Sequence, residues 1–250
     1  MARYTTNNTD DLSHILPLVE IVNRETTIGL VLFYDSATEE RPACLDEFFA
    51  ISPIKSTVDF KTIGQFVIER NTFSIPDIND VLFAGSITGR GYDEIQTGIK
   101  LIHDTFYDKL PNLYSSVPTE ALEYISIGWQ PIPEMWKKAS QRVNPTGNTL
   151  GFDSTEGFHV AWVGIVMWNE SLYDGAVADW VTTVTNAIDD ATKTGGVYHP
   201  FKYMNDAAGF QGVFPGYGIE NEKRLLEISR KYDPDRVFQT LNSGGFRIGM

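Results

Sequence analysis

The stretch Phe158–Trp168 constrains the fold more than any other part of the chain. Read as a strand, it puts Phe158, Val160, Trp162, Val166 and Trp168 on one face and His159, Ala161, Val163, Ile165 and Met167 on the other. Both faces are apolar, so both must be covered in the working molecule. Helices can cover one of them; the nature of the second cover bears on function.

The rest of the chain supplies candidate neighbours. Ile28–Tyr34 reads as a buried strand, Val81–Ile87 as a second and Leu122–Gln130 as a third, with Ile125, Ile127 and Trp129 on one side. Leu12, Ile15, Leu16, Val19 and Val22 fall at helical spacing, with Pro17 tolerated near a first turn capped by Ser13. Short helices are expected at 43–50 and 61–70. A long one carries Ile95, Ile99, Ile102, Phe106 and Leu110 and stops at Pro111. Pro131 and Pro133 introduce a short helix with Met135 and Trp136, and 144–148 is a loop by composition. A further long helix, with Val177, Trp180, Val181, Val184 and Ile188 inward, ends at Gly195-Gly196. Residues 197–214 form an ordered loop rich in aromatics and glycine, before a last helix at 221–231.

Strands separated by helices would suit a parallel sheet, but no glycine-rich phosphate-binding turn follows a strand. The segment Gly85–Gly91 has the wrong spacing and reads as a strand-to-helix turn. The expected fold class is therefore α+β: an antiparallel sheet with helices packed on one face.

The net charge of −13, from 33 acidic and 20 basic residues, argues against nucleic acid or an anionic membrane as partner. A single cysteine, Cys44, excludes an internal disulfide and is expected to be a small buried side chain. The histidines at 14, 103, 159 and 199 have no metal-ligand spacing, and no Gly-x-Ser-x-Gly elbow occurs. No apolar run is long enough to span a bilayer, and Met1–Asp10 carries no secretory apolar core, so the expectation is a cytoplasmic chain. The sequons at Asn7 and Asn169 matter only if it is secreted.

The C-terminal region carries an ordered series of motifs: Tyr203-Met204-Asn205-Asp206-Ala207-Ala208, Pro215-Gly216-Tyr217-Gly218, Glu220-Asn221, Arg224-Leu225, Lys231-Tyr232-Asp233-Pro234, Val237-Phe238-Gln239 and Gly244-Gly245-Phe246. At this spacing it resembles the C-terminus of fungal FAD-linked oxidoreductases of the berberine-bridge and 6-hydroxynicotine-oxidase-like group. Gly29–Phe49, with Phe33-Tyr34-Asp35 and Phe48-Phe49, resembles the start of that group's substrate domain. The resemblance implies that residues 1–250 are the substrate-binding domain and that the N-terminal FAD-binding domain is absent. It also implies a flavin and substrate side on the second sheet face, and oxidation of a small organic substrate such as a secondary metabolite or a sugar-like alcohol. FAD would then require completion by an FAD-binding domain or partner chain. The alternative is a stand-alone, flavin-free binding protein or a cyclase or isomerase descended from such a domain.

Many relatives in that group carry Tyr-x-Asn-Tyr where this chain has Tyr203-Met204-Asn205-Asp206, so a second tyrosine is not available. The resemblance implies cofactor contacts from Asn205 and Tyr203. Candidate catalytic groups are Tyr203, His199, which titrates near neutrality, and His159 on the two-faced strand. Structural readings stand beside these: Tyr203 and Asn205 as loop anchors, His199 as a solvated or structural ring, His159 as a core histidine. Tyr124, Ser126 and Gln130 share a strand face that is either solvated or part of a pocket. Trp129, Trp162 and Trp168 read as packing, and His103 as a surface residue.

Overall fold

A computed structural model of the chain describes residues 1–36, 38, 41–71, 75–144, 148–152 and 157–249. In chain order the elements are α1 (Ala2–Asn7), β1 (Ser13–Val22), β2 (Glu25–Tyr34), α2 (Asp46–Phe49), α3 (Ile63–Asn71), β3 (Asn79–Gly89) and α4 (Tyr92–Ser116). They continue with β4 (Leu122–Ile132), α5 (Glu134–Val143), β5 (Phe158–Trp168), α6 (Asp174–Thr194), β6 (Tyr198–His199), α7 (Ile219–Tyr232) and α8 (Val237–Thr240). The strands form one antiparallel sheet in the order β2-β1-β4-β5-β3-β6, the expected α+β class. The central place of β5, between β4 and β3, accounts for its two apolar faces.

One face is sealed. Phe83, Ile87, Ile125, Ile127, Val160, Trp162 and Val166 form a continuous core with Ile95, Ile102 and Phe106 of α4 and Val177, Trp180, Val181, Val184 and Ile188 of α6. Large rings here lie over glycines of the neighbouring strand. A Cβ on Gly164 would come 2.2 Å from the Phe83 ring, and one on Gly85 2.6 Å from Trp162. Alternation of large and small side chains across adjacent strands lets the layers interlock at native density. Trp129, Trp162 and Trp168 are all buried in this core. At the β1–β2 end, Ile15 packs with Tyr4 of α1 and with Leu45 and Phe48.

Three elements differ from the sequence reading. The segment expected as a helix from Leu12 is strand β1. Ser13, Ile15, Val19 and Ile21 alternate inward, a period-2 pattern hidden within the helical spacing. Asn23 and Arg24, at φ 52° and 65°, close a two-residue hairpin to β2, which makes the strand pairing local. Pro17 lies just outside the part of β1 that pairs with β4, Leu18–Ile21, so its missing N–H removes no bond to that strand. Strand β2 forms where expected but at the sheet edge, with no fully buried residue. Helix α4 runs through Pro111 to Ser116, because Leu110, Leu113 and Val117 continue the buried stripe beyond the proline. That burial offsets a proline cost of about 3 kcal/mol.

Smaller differences concern single residues. Cys44 is half-buried rather than fully buried. Gly85 and Gly89 belong to β3, and only Gly91 stands at the turn into α4. The loop expected at 144–148 includes 145–147, which lie outside the described residues.

Candidate functional site on the open sheet face

The other face of the sheet is only partly covered. The strand registers put its side chains in rows. Thr88, His159 and Ile132 make one; His199, Ser86, Ala161 and Gln130 the next; Ala84, Val163, Gly128 and Leu18 a third; Leu82, Ile165, Ser126 and Glu20 a fourth. Leu18, Leu82, Val163, Ile165 and Met167 remain partly exposed. Neither long helix lies on this side. Helix α5 covers the first rows, with the Trp136 ring 4.9 Å from His14 and Lys137 beside His159. Helix α3 touches the β2 edge, where the Phe66 ring is 5.1 Å from Phe33. Apart from Lys137, no residue of α3 or α5 is buried.

At the covered end, two of the sequence-selected residues meet. The rings of His159 and His199 lie edge to face, with centroids 4.7 Å apart. Phe152 closes over both, at 5.0 and 5.5 Å. Lys137 Nζ stands 3.3 Å from His159 Nδ1 and also bonds the Gly157 carbonyl. Burial, then the positive charges of His199 and Lys137, push the His159 pKa down to about 3. His159 is therefore a neutral, fully buried imidazole at physiological pH. His199 Nδ1 accepts the Phe201 N–H at 3.2 Å.

The loop after β6 holds the other two residues. The Tyr203 carbonyl accepts the Asp206 N–H at 3.1 Å, closing a turn, and Asn205 Nδ2 donates to the Tyr203 hydroxyl at 3.0 Å. Tyr203 and Asn205 are exposed. Asp206 is half-buried, and burial raises its carboxyl pKa to about 6. Phe201, Val213 and Tyr217 form a small core of their own, with Phe152, Met204, Leu225 and Phe246 packed on it. A Cβ on Gly216 would lie 2.2 Å from the Pro200 carbonyl oxygen, so only glycine lets the two arms of the loop meet.

Sequence reasoning missed two features of this side. Gln211 is buried, and its side chain acts as a strand: Oε1 accepts from Ala84 N–H, Nε2 donates to Ala84 O, and Oε1 also accepts from Ala208 N–H. It continues the edge of β3 beyond the short β6 and ties the loop to the sheet. No sequence signal marks a glutamine for that task. The second feature is Glu20, whose Oε1 accepts the Tyr124 hydroxyl at 2.8 Å. The Tyr124 pKa is pushed up to about 12, by burial first, with Ser126 opposing and Glu20 adding to the rise. Expecting β1 to be helical hid this pairing. Two buried polar atoms on the open face, Ser86 Oγ and His14 Nδ1, have no hydrogen-bond partner among the described residues.

The described residues contain no cluster of His, Cys, Asp and Glu that could hold a metal. Among them, no helix is long and apolar enough to cross a membrane. His103 sits on the solvent side of α4 beside Asp104.

The fold is that of the berberine-bridge type. The 6-hydroxy-D-nicotine oxidase of Arthrobacter nicotinovorans matches with a TM-score of 0.60 and 12% identity, over 92% of this chain and 47% of that one. The berberine bridge enzyme of Eschscholzia californica matches with a TM-score of 0.57 and 14% identity, over 98% of this chain and 50% of that one. In sequence the chain is related to fungal FAD-dependent monooxygenases. It is 28% identical to one from Emericella nidulans over 90% of its own length and 45% of that protein, and 26% identical to one from Aspergillus calidoustus over 84% and 38%. No family model matches the chain. The chain thus spans less than half the length of these relatives, and the resemblance carried by its C-terminal motifs holds in both fold and sequence.

Proposed function

We propose that the chain forms the substrate-binding side of an FAD-linked oxidoreductase, acting on a small organic molecule such as a secondary metabolite or a sugar-like alcohol. The observation that carries this reading is the unequal treatment of the two sheet faces. One is sealed by α4 and α6, while the other leaves Leu18, Val163, Ile165 and Met167 partly open beside buried small residues, Ala84 and Ala161. Such a surface suits a flat ring system and a small substrate. The chain offers no glycine-rich phosphate turn, so the pyrophosphate of FAD would be held by an FAD-binding domain or partner chain.

The chemistry that bound FAD would supply is removal of hydride from a carbon next to oxygen or nitrogen. The chain's own groups bind and orient. Tyr203 and Asn205, hydrogen-bonded to each other in the loop after β6, offer a hydroxyl and an amide. His199 and the neutral His159 anchor that loop to β5 and β3. Asp206 takes the place of the second tyrosine of the motif, and its raised pKa gives it a carboxyl that is partly protonated near pH 6. A flavin-free binding or isomerising protein is the second reading; it draws support from α5, which covers one end of the face.

Expression of the complete reading frame that contains this chain tests the proposal. Co-purification of flavin and substrate-dependent oxygen uptake are the expected results. A stable, colourless product with the open face intact would favour the second reading.

A further inference from the structure

We propose that Glu20, Tyr124 and Ser126 form a recognition site for the hydroxyl group of an otherwise apolar small molecule, on the open face at the end remote from the histidines. This rests on the reading that the open face is the ligand side. Ser126 and Ile132 are six residues apart on β4, so the polar group lies roughly 20 Å from the histidine end at a strand rise of about 3.3 Å per residue.

The site has a defined donor and acceptor inventory. The Tyr124 proton goes to Glu20 Oε1 at 2.8 Å. The Ser126 hydroxyl bonds at Tyr124. What is left to offer is the second carboxylate oxygen, Glu20 Oε2, which only accepts. Its place depends on Gly29 of β2, where an added Cβ would lie 2.8 Å from Oε2 and 2.7 Å from Leu18 Cδ1. The neighbours on the same face are Leu18, Ile165 and Met167, so the body of the ligand is apolar.

The test uses the chain itself and two probes of one shape, 1-naphthol and 1-methoxynaphthalene, with binding followed through the methyl resonances of Ile165 and Met167. The expected result is saturable binding of naphthol, at least about tenfold tighter than that of the methyl ether, because only naphthol can donate to Glu20. Glu20→Gln abolishes the preference with unchanged melting temperature. Gly29→Ala does the same by displacing Oε2, and Tyr124→Phe weakens it. Equal affinity for the two probes, no saturable binding, or a preference that survives Glu20→Gln would overturn the proposal. None of these readouts needs flavin. A failed flavin test with a preserved naphthol preference would sink the oxidoreductase reading alone, and the converse would sink only the hydroxyl site.

Discussion

The two faces of the sheet share the same strands and differ in how they are finished. On the helix side, Phe83, Ile127, Val160 and Val166 have no exposure at all, and aromatic rings fill the spaces above glycines. On the open side, residues one position along the same strands, Leu82, Val163, Ile165 and Met167, remain partly exposed. Stability comes chiefly from the sealed face, while the other keeps apolar side chains within reach of solvent. Alternation along β5 assigns each residue to one task or the other.

The sharpest way to break that comparison is a matched pair of truncations. Phe83→Ala should cost about 3–5 kcal/mol in denaturant unfolding, as a buried aromatic lost to a cavity. Ile165→Ala should cost roughly 1 kcal/mol, because its side chain already meets solvent. Equal losses would show that both faces are packed alike.

The covered end of the open face gives a pH test. The folded pKa of His159 lies near 3, below its ordinary 6.5. The neutral ring therefore supports the fold fully above pH 6.5, and that support is lost as pH falls toward 3, while the unfolded chain takes up the proton. The expected loss is about 2–3 kcal/mol between pH 6.5 and 4.5, and His159→Gln should flatten it. An unchanged slope in the variant would place the acid sensitivity elsewhere.

Gln211 sharpens the comparison at the sheet edge. Gln211→Ala leaves the Ala84 N–H and C=O without their partner and should cost about 1–3 kcal/mol. Hydrogen exchange should quicken at Ala84 and Ala208 and leave β4 unchanged; uniform quickening would mean the loop is not a separate unit.

The smallest effect concerns Asp206. Its folded pKa is raised to about 6 from 3.8, so its burial weakens the fold as pH rises through that window. Asp206→Asn should add about 1 kcal/mol at pH 7 after allowance for partial exposure, and nothing at pH 3.5. A gain at both pH values would mean that charge is not the cause.

The long periodic elements were legible in the sequence. Phe158–Trp168 matches β5 residue for residue, and the inward stripes of α4 and α6 are those the spacing implied. Segment β1 was not, because Ile15 and Val19, four residues apart, fit periods of 3.6 and 2 alike, and the deciding signal was a hairpin turn at Asn23-Arg24 with no glycine. Of the candidate site, His159, His199, Tyr203 and Asn205 were marked by residue type and motif, while the meeting of the two imidazole rings, on β5 and β6 either side of β3, left no local trace. Gln211 and Glu20 act across 127 and 104 residues of chain, and such contacts leave no local trace.

Methyl resonances on both faces, followed while an FAD-loaded flavin-binding portion of the Emericella nidulans relative is added to the chain, decide whether the open face is the flavin side. Shifts are expected at Val163, Ile165 and Met167, with Val166 and Val184 on the sealed face unmoved. Shifts confined to the sealed face, or none on either face, would contradict that reading.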